Sequence, residues 1–229
     1  GHLIMVMFNP SLTEFLVFDL EAFVPPADRR KRTGASLAVN AFREGHTLLG
    51  GVVYGGRPLA GEVVQDYAHY WMWREGGEKE VVAALYRVFA AMWEGVRDKK
   101  MIQADPVVCG VGISTFDMPF LLAKCLQYQV APPAEIYDTI GKCRGVDLSV
   151  AGIGFVPTQN PILHPCSHNQ LADALLPERA KKPTGKKVWE MMDAKEYGAV
   201  EQRCEAEVRE MVEIAKRMLL SCRYPRNTV

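Results

Sequence analysis

Short apolar runs along the chain predict buried strands. Phe15–Glu21 opens with an apolar run and predicts the first strand, and Pro106–Val111 predicts another. Between them, two β-rich segments predict strands over Ser36–Arg43 and Thr47–Tyr54, joined by a hairpin turn at Glu44-Gly45. A further strand is expected near Val146, where the pattern does not fix its bounds.

Apolar positions at helical spacing predict the helices. In Glu78–Val96 such positions recur every three or four residues, which is typical of an amphipathic helix packed on a sheet. A second helix is predicted from Asp117 or Met118 to Gln129, short helical pieces around Tyr137 and in Gln170–Leu175, and a long helix over Ala194–Leu220. The predicted order is three strands, then a helix, a strand and a helix, which indicates an α/β protein.

Composition narrows the class of protein. The chain has 229 residues, which suits one α/β domain, so we expect a single domain over residues 1–229 with a tag remnant and N-terminal tail at 1–12. No apolar stretch approaches the roughly 20 residues of a membrane helix. The six cysteines show no paired zinc spacing, so we interpret them as reduced thiols of a soluble, cytoplasmic protein without membrane contact.

Charge limits how the chain can contact nucleic acid. Lys plus Arg and Asp plus Glu number 27 each, so no global positive field attracts a phosphate backbone. Basic runs occur at Arg29–Arg32 and between Lys181 and Lys187, and both are typical of solvated surface. Any contact with nucleic acid is therefore expected to be local.

Two carboxylates stand at the end of the first predicted strand. Asp19 and Glu21 are two residues apart, so they point to the same face of the strand while Leu20 points to the other. Neighbouring ionised carboxylates raise each other's pKa unless a cation lies between them, which favours a metal site. The alternative is an ordinary strand end with solvated acids.

A third acid opens the second helix. Asp117 follows the Pro106–Val111 strand, and it either caps the helix or lies in its first turn with the carboxylate directed towards the strand ends. The first role is structural, and the second places Asp117 where a ligand binds.

Together these motifs resemble a known family. Phe18-Asp19-Leu20-Glu21 and Phe116-Asp117-Met118-Pro119 are similar, in order and in position, to the first two motifs of the DEDD 3′–5′ exonucleases. The closest group is the one related to the proofreading domain of family B DNA polymerases. The resemblance runs from Phe15 to about Leu219 and implies a ribonuclease H-like fold, with a mixed five-stranded sheet flanked by helices.

The family's third motif has two candidate matches on the last helix. The family has a Tyr followed four residues later by an Asp, and Arg203 and Glu207 align with these positions, with Cys204 and Val208 matching neighbours. The competing register is Tyr197 with Glu201, which lies near the helix's apolar stripe. We prefer Glu207 and keep Glu201 as the alternative.

The resemblance implies a reaction and its cofactors. Asp19, Glu21, Asp117 and Glu207 would bind two Mg²⁺ or Mn²⁺ ions and hydrolyse phosphodiesters at the 3′ end of single-stranded DNA or RNA, releasing nucleoside 5′-monophosphates. Arg203 in place of Tyr favours a second reading, a weakened or inactive nucleic-acid-binding protein. A Rossmann-type enzyme is disfavoured because no Gly-x-Gly-x-x-Gly turn follows the first strand.

Overall fold

A computed structural model describes residues 13–29, 39–57, 60–98, 106–158, 162–179 and 187–221. The expected tag remnant and tail at 1–12 lie outside these ranges. So do most of the two basic runs.

Five strands form one mixed sheet. They are β1 (Phe15–Phe23), β2 (Thr47–Arg57), β3 (Glu62–Trp71), β4 (Val107–Gly110) and β5 (Arg144–Asp147). Their order across the sheet is β3-β2-β1-β4-β5. β1 to β3 form an antiparallel meander. β4 pairs with β1 in parallel, and β5 pairs with β4 in parallel. The chain is therefore an α/β protein with a mixed five-stranded sheet.

The third strand is not where the sequence pattern predicted it. The part of Ser36–Arg43 that the structure describes, residues 39–43, is irregular or turn and contains no strand. The strand that completes the meander is β3, which the pattern missed. β3 is an edge strand whose Val63 and Val64 face solvent, so apolar alternation does not mark its buried face. The turn around Gly45 is present, with φ of 78° at that glycine.

Helices flank the sheet on both sides. They are α1 (Met72–Glu75), α2 (Glu78–Asp98), α3 (Asp117–Gln127), α4 (Pro133–Ile136), α5 (Leu148–Ala151), α6 (His168–Leu175), α7 (Val188–Asp193) and α8 (Tyr197–Ser221). A π-helical turn spans Tyr137–Gly141 and a 3₁₀ turn spans Gly152–Phe155. The three longest helices lie within a few residues of their predicted positions.

The alternation of β1 divides the core into two layers. Phe15 and Val17 point to the face covered by α8, where they pack with Val208 and its apolar neighbours. Leu16, Phe18 and Leu20 point to the opposite face, which α2 and α3 cover. Each large side chain buried in this way stabilises the fold by about 1.5–3 kcal/mol. By the same period of two, Asp19 and Glu21 belong to the α8 face.

Two further findings bear on the sequence analysis. No helix in the described part of the chain is long and apolar enough to span a bilayer. Within that part, five cysteines carry free thiols: Cys109, Cys125, Cys143, Cys166 and Cys204.

Candidate active site

The first two acids lie at the centre of the sheet. Asp19 and Glu21 are on β1, between β2 and β4 in the strand order, and each keeps part of its surface open to solvent. One ligand atom from each of Asp19, Glu21 and Cys204 lies within 4.8 Å of the other two. The pair thus faces α8, which supplies Cys204.

Two glycines of β2 lie opposite this part of β1. Gly51 pairs with Leu20, and a β-carbon there would lie 2.1 Å from the carbonyl oxygen of Asp19. Gly50 pairs with Glu21 and has φ of 126°, and a β-carbon there would lie 1.9 Å from the carbonyl oxygen of Tyr70. The register shifts immediately afterwards, so that β2 contains a bulge beside the acids. Only glycine fits this close approach of the strands.

Asp117 joins the pair through the backbone. It is the first residue of α3, is only 2% exposed, and its Oδ1 accepts a hydrogen bond of 2.8 Å from the N–H of Leu20. Leu20 lies between Asp19 and Glu21, so this bond fixes the third acid against the first two. Phe116, not Asp117, is the N-cap residue of α3, so Asp117 lies in the first turn of the helix.

Cys204 is a hydrogen-bond donor in the site. Its Sγ lies 3.4 Å from the carbonyl oxygen and 3.6 Å from Oδ2 of Asp19. Burial, together with the negative charge of Asp19, raises the pKa of the Cys204 thiol well above its ordinary value. The thiol is therefore protonated and supports the Asp19 carboxylate.

Glu207 lies one helical turn beyond Arg203 and pairs with it. The Arg203 Nε donates to Glu207 Oε1 at 3.0 Å, an i,i+4 ion pair on α8. The charge of Glu207 raises the pKa of both Asp19 and Glu21, so Glu207 interacts electrostatically with these two acids. It is not among the residues whose ligand atoms lie within 4.8 Å of one another.

The competing acid, Glu201, is held elsewhere. Its carboxylate accepts 2.7 Å and 2.8 Å hydrogen bonds from Trp73 Nε1 and Arg74 Nε. These partners hold the pKa of Glu201 below its ordinary value despite partial burial. Tyr197, the other residue of this register, stacks on Trp73. The structure thus associates Glu207, rather than Glu201, with Asp19 and Glu21.

Crowded carboxylates dominate the electrostatics. Burial, followed by the negative charge of Glu207, raises the pKa of Glu21 to about 8, which the Arg203 guanidinium partly opposes. Burial raises the pKa of Asp117 to about 7, although the N–H of Leu20 favours its ionised form. Burial and the charges of Glu21, Asp117 and Glu207 raise the pKa of Asp19 well above its usual range. The charges of Asp117 and Glu207 therefore disfavour ionisation of both Asp19 and Glu21.

The donor set suits a hard cation. Carboxylate oxygens are the ligands that Mg²⁺ and Mn²⁺ prefer, and a bound cation would relieve the repulsion among these acids. Cys204 adds one soft donor beside the hard oxygens of Asp19 and Glu21. Asp19, Glu21, Asp117 and Glu207 are the carboxylates that would hold the ions expected from the sequence.

A cavity of about 510 Å³ opens beside Glu21. Glu21 and Arg203 form part of its wall, and Phe116 and Trp189 provide aromatic surface. Trp189 is fixed by a 2.9 Å hydrogen bond from its Nε1 to the carbonyl oxygen of Ala22. A volume of this size falls within the range of small-molecule and cofactor sites.

Comparison with known proteins finds similarity in structure and none in sequence. The chain matches no sequence family and no individual curated protein. Its fold is similar to that of the family B DNA polymerase from the hyperthermophilic archaeon Pyrobaculum calidifontis, with a TM-score of 0.54 and 16% sequence identity. The similarity covers 90% of this chain and 24% of the polymerase chain, so this chain spans about a quarter of that protein's length. At this identity, what the two proteins share is the fold.

Proposed function

We propose that this protein is a metal-dependent 3′–5′ exonuclease with a ribonuclease H-like fold, formed by a single domain. One observation carries the proposal: Asp117 on α3 and Glu207 on α8 lie close enough to Asp19 and Glu21 on β1 for their charges, together with burial, to raise the pKa values of both strand acids. Buried carboxylates in such an arrangement are typical of sites that bind divalent cations.

The similarity to a DNA polymerase supports a substrate made of nucleic acid. Family B DNA polymerases contain an exonuclease domain, and the motifs around Asp19, Glu21 and Asp117 resemble those of such domains. The proposed substrate is the 3′ end of a single strand of DNA or RNA. Water would attack the phosphorus of the last phosphodiester, and the bond from that phosphorus to the 3′ oxygen of the preceding nucleotide would break. That oxygen would take up the proton released by the water, and the terminal nucleotide would leave as a nucleoside 5′-monophosphate.

Each residue of the cluster has a defined part in this proposal. Asp19, Glu21, Asp117 and Glu207 would hold Mg²⁺ or Mn²⁺, which when bound in pairs activate water and neutralise the leaving oxygen. The Leu20 N–H keeps the Asp117 carboxylate in position, and the thiol of Cys204 does the same for Asp19. The Phe116 and Trp189 rings provide a surface beside the acids on which a terminal base could stack.

Arg203 is the reason to expect slow hydrolysis. An arginine remains protonated in proteins, so it cannot accept a proton from water, and here it occupies an oxygen of Glu207. We therefore propose slow hydrolysis that is best supported by Mn²⁺. The same ion pair favours the second candidate function, a protein of this fold that binds nucleic acid without hydrolysing it.

A strand-shortening assay separates the two candidates. A 5′-labelled single-stranded oligonucleotide incubated with Mn²⁺ should yield products shortened progressively from the 3′ end, and neither EDTA-treated protein nor Asp19→Asn should produce them. Binding of the same oligonucleotide without any shortening, at protein in excess over substrate, would instead establish the non-hydrolytic function.

A further inference from the structure

Three aromatic rings form a ladder beside the acid cluster. In this aromatic ladder, the rings of Trp71 and Trp73 are stacked at 5.0 Å and 10°, and those of Trp73 and Tyr197 at 4.8 Å and 23°. Trp71 is fully buried, Trp73 is half-buried, and Tyr197 is 38% exposed. The ladder thus leads from the core to the surface and ends in an exposed ring.

Trp71, at the buried end of the ladder, lies level with Glu21 across the sheet. Trp71 pairs with Gly50, and Gly50 pairs with Glu21, so Trp71 and Glu21 are two strand spacings apart, about 10 Å. Trp71 also packs in the core layer under α8, on the face to which Glu21 points. On α8, Tyr197 and Cys204 are seven residues apart, which places them on one side of the helix about 10 Å apart along its axis.

Polar contacts hold each indole of the ladder in place. Trp73 Nε1 donates to Glu201 at 2.7 Å, and the half-exposed guanidinium of Arg74 neutralises that carboxylate. Trp71 Nε1 donates to His69 Nδ1 at 3.0 Å. The His69 Nε2 is then the nitrogen that donates to the Glu205 carboxylate, at 2.8 Å. A rigid surface of this kind loses little conformational entropy when a ligand stacks on it.

Because the chain carries no net charge, a surface that binds bases by stacking would supply affinity for nucleic acid. With 27 basic and 27 acidic residues, the chain has no general attraction for a phosphate backbone. Base–aromatic stacking provides affinity without that attraction, and it is independent of sequence because every base has a flat face. The pairing of Arg74 with Glu201 also keeps an unpaired negative charge away from this end of the ladder.

We propose that Tyr197 is a stacking platform for a nucleobase upstream of the 3′ end that lies at the acids. This inference rests on the proposed function, since the strand must be at the acid cluster for its next bases to reach the ladder. The ligand class is a single strand of nucleic acid longer than one nucleotide.

Oligonucleotide binding tests the platform without requiring hydrolysis. The Kd of a fluorescein-labelled hexathymidylate, measured by anisotropy in EDTA, should rise by about 5- to 150-fold in Tyr197→Leu, the effect of losing one stacked base. Tyr197→Phe keeps the ring and should bind within about twofold of the wild type. Tyr137→Leu, at a tyrosine that is 51% exposed elsewhere, is the matched control and should leave the Kd unchanged.

The outcomes separate this inference from the proposed function. Strand shortening with an unchanged Kd in Tyr197→Leu would overturn the platform and leave the exonuclease intact. A Tyr197-dependent Kd without shortening would support the platform and reject the exonuclease. If Tyr197→Leu does not fold, photo-cross-linking of the wild type to an iodouracil-substituted hexanucleotide decides: a cross-link to Tyr197 supports the platform, and cross-links that all lie elsewhere overturn it.

Discussion

Replacing Glu21 by Gln should stabilise the metal-free protein. The unfolded chain releases the Glu21 proton near the ordinary pKa of 4.5, whereas the folded protein holds it up to about 8. Between these values the unfolded state binds fewer protons, so the free energy of unfolding falls as the pH rises. The amide of Gln carries no proton that could be lost in this range, and Glu21→Gln should therefore remove the pH dependence that this residue contributes.

The size of the effect follows from the pKa of Glu21. At about pH 7.5, keeping this carboxyl protonated against its ordinary pKa costs on the order of 4 kcal/mol, at about 1.4 kcal/mol per pKa unit. The neighbouring acids share that cost, and a buried amide is not free of desolvation, so we expect about half of it to be recovered. For a protein of this length, this corresponds to a rise in Tm of roughly 4–8 °C.

Thermal unfolding in EDTA and in Mn²⁺, from about pH 5.5 to 8.5, checks this reasoning. Metal should raise the Tm of the wild type most at the high-pH end, because the ion replaces protons, and should raise that of Glu21→Gln much less. Glu201→Gln is the matched control: its carboxylate is paired with Arg74, so the variant should lose stability and keep the metal response. A Tm for Glu21→Gln that lies below the wild type in EDTA at every pH would refute the electrostatic account.

Three further predictions concern residues around the cluster. Glu207→Gln should weaken Mn²⁺ binding in calorimetry by at least about tenfold while Glu201→Gln leaves it unchanged, and the reverse order would transfer the metal role to Glu201. Arg203→Tyr should tighten Mn²⁺ binding and raise the rate of strand shortening by up to about 10²–10⁴-fold, and an unchanged rate would show that this position takes no part in the chemistry. Gly50→Ala should lower the free energy of unfolding by about 3 kcal/mol or more, because its β-carbon meets the backbone at positive φ, whereas Gly154→Ala, with open space around it, should be neutral in the same denaturation experiment.

The elements predicted from apolar pattern are those with one fully buried face. β1 and α2 have such faces, and the pattern placed both within two residues at each end. β3 has the opposite distribution, with valines outside and Tyr67, His69 and Trp71 inside, so that hydrophobicity alone gave no period of two. The alternation of aromatic rings at these three positions was the signal that marks its inner face.

The sequence motifs single out the acids of the candidate site but not the contacts that hold them in place. Asp19, Glu21 and Asp117 stand in local motifs, and their spacing suggests a common face and a common ligand. The bond from the Leu20 N–H to Asp117 joins residues 97 positions apart, and nothing local encodes it. The pair of Arg203 and Glu207 is different, because its i,i+4 spacing on a helix was visible in the sequence.

The contact between Cys204 and Asp19 has a consequence for how the protein is made. These residues are 185 positions apart, so one side of the acid cluster leaves the ribosome long before the other. At typical rates of synthesis, about 5–20 residues per second, the interval is roughly 10–40 s. During that time β1 presents Asp19 and Glu21 without α8 to cover them, and the nascent sheet lacks one of its two apolar layers. Completion of the cluster therefore coincides with completion of the core, and under the proposed function a chain that has closed its core is also the first that would bind metal.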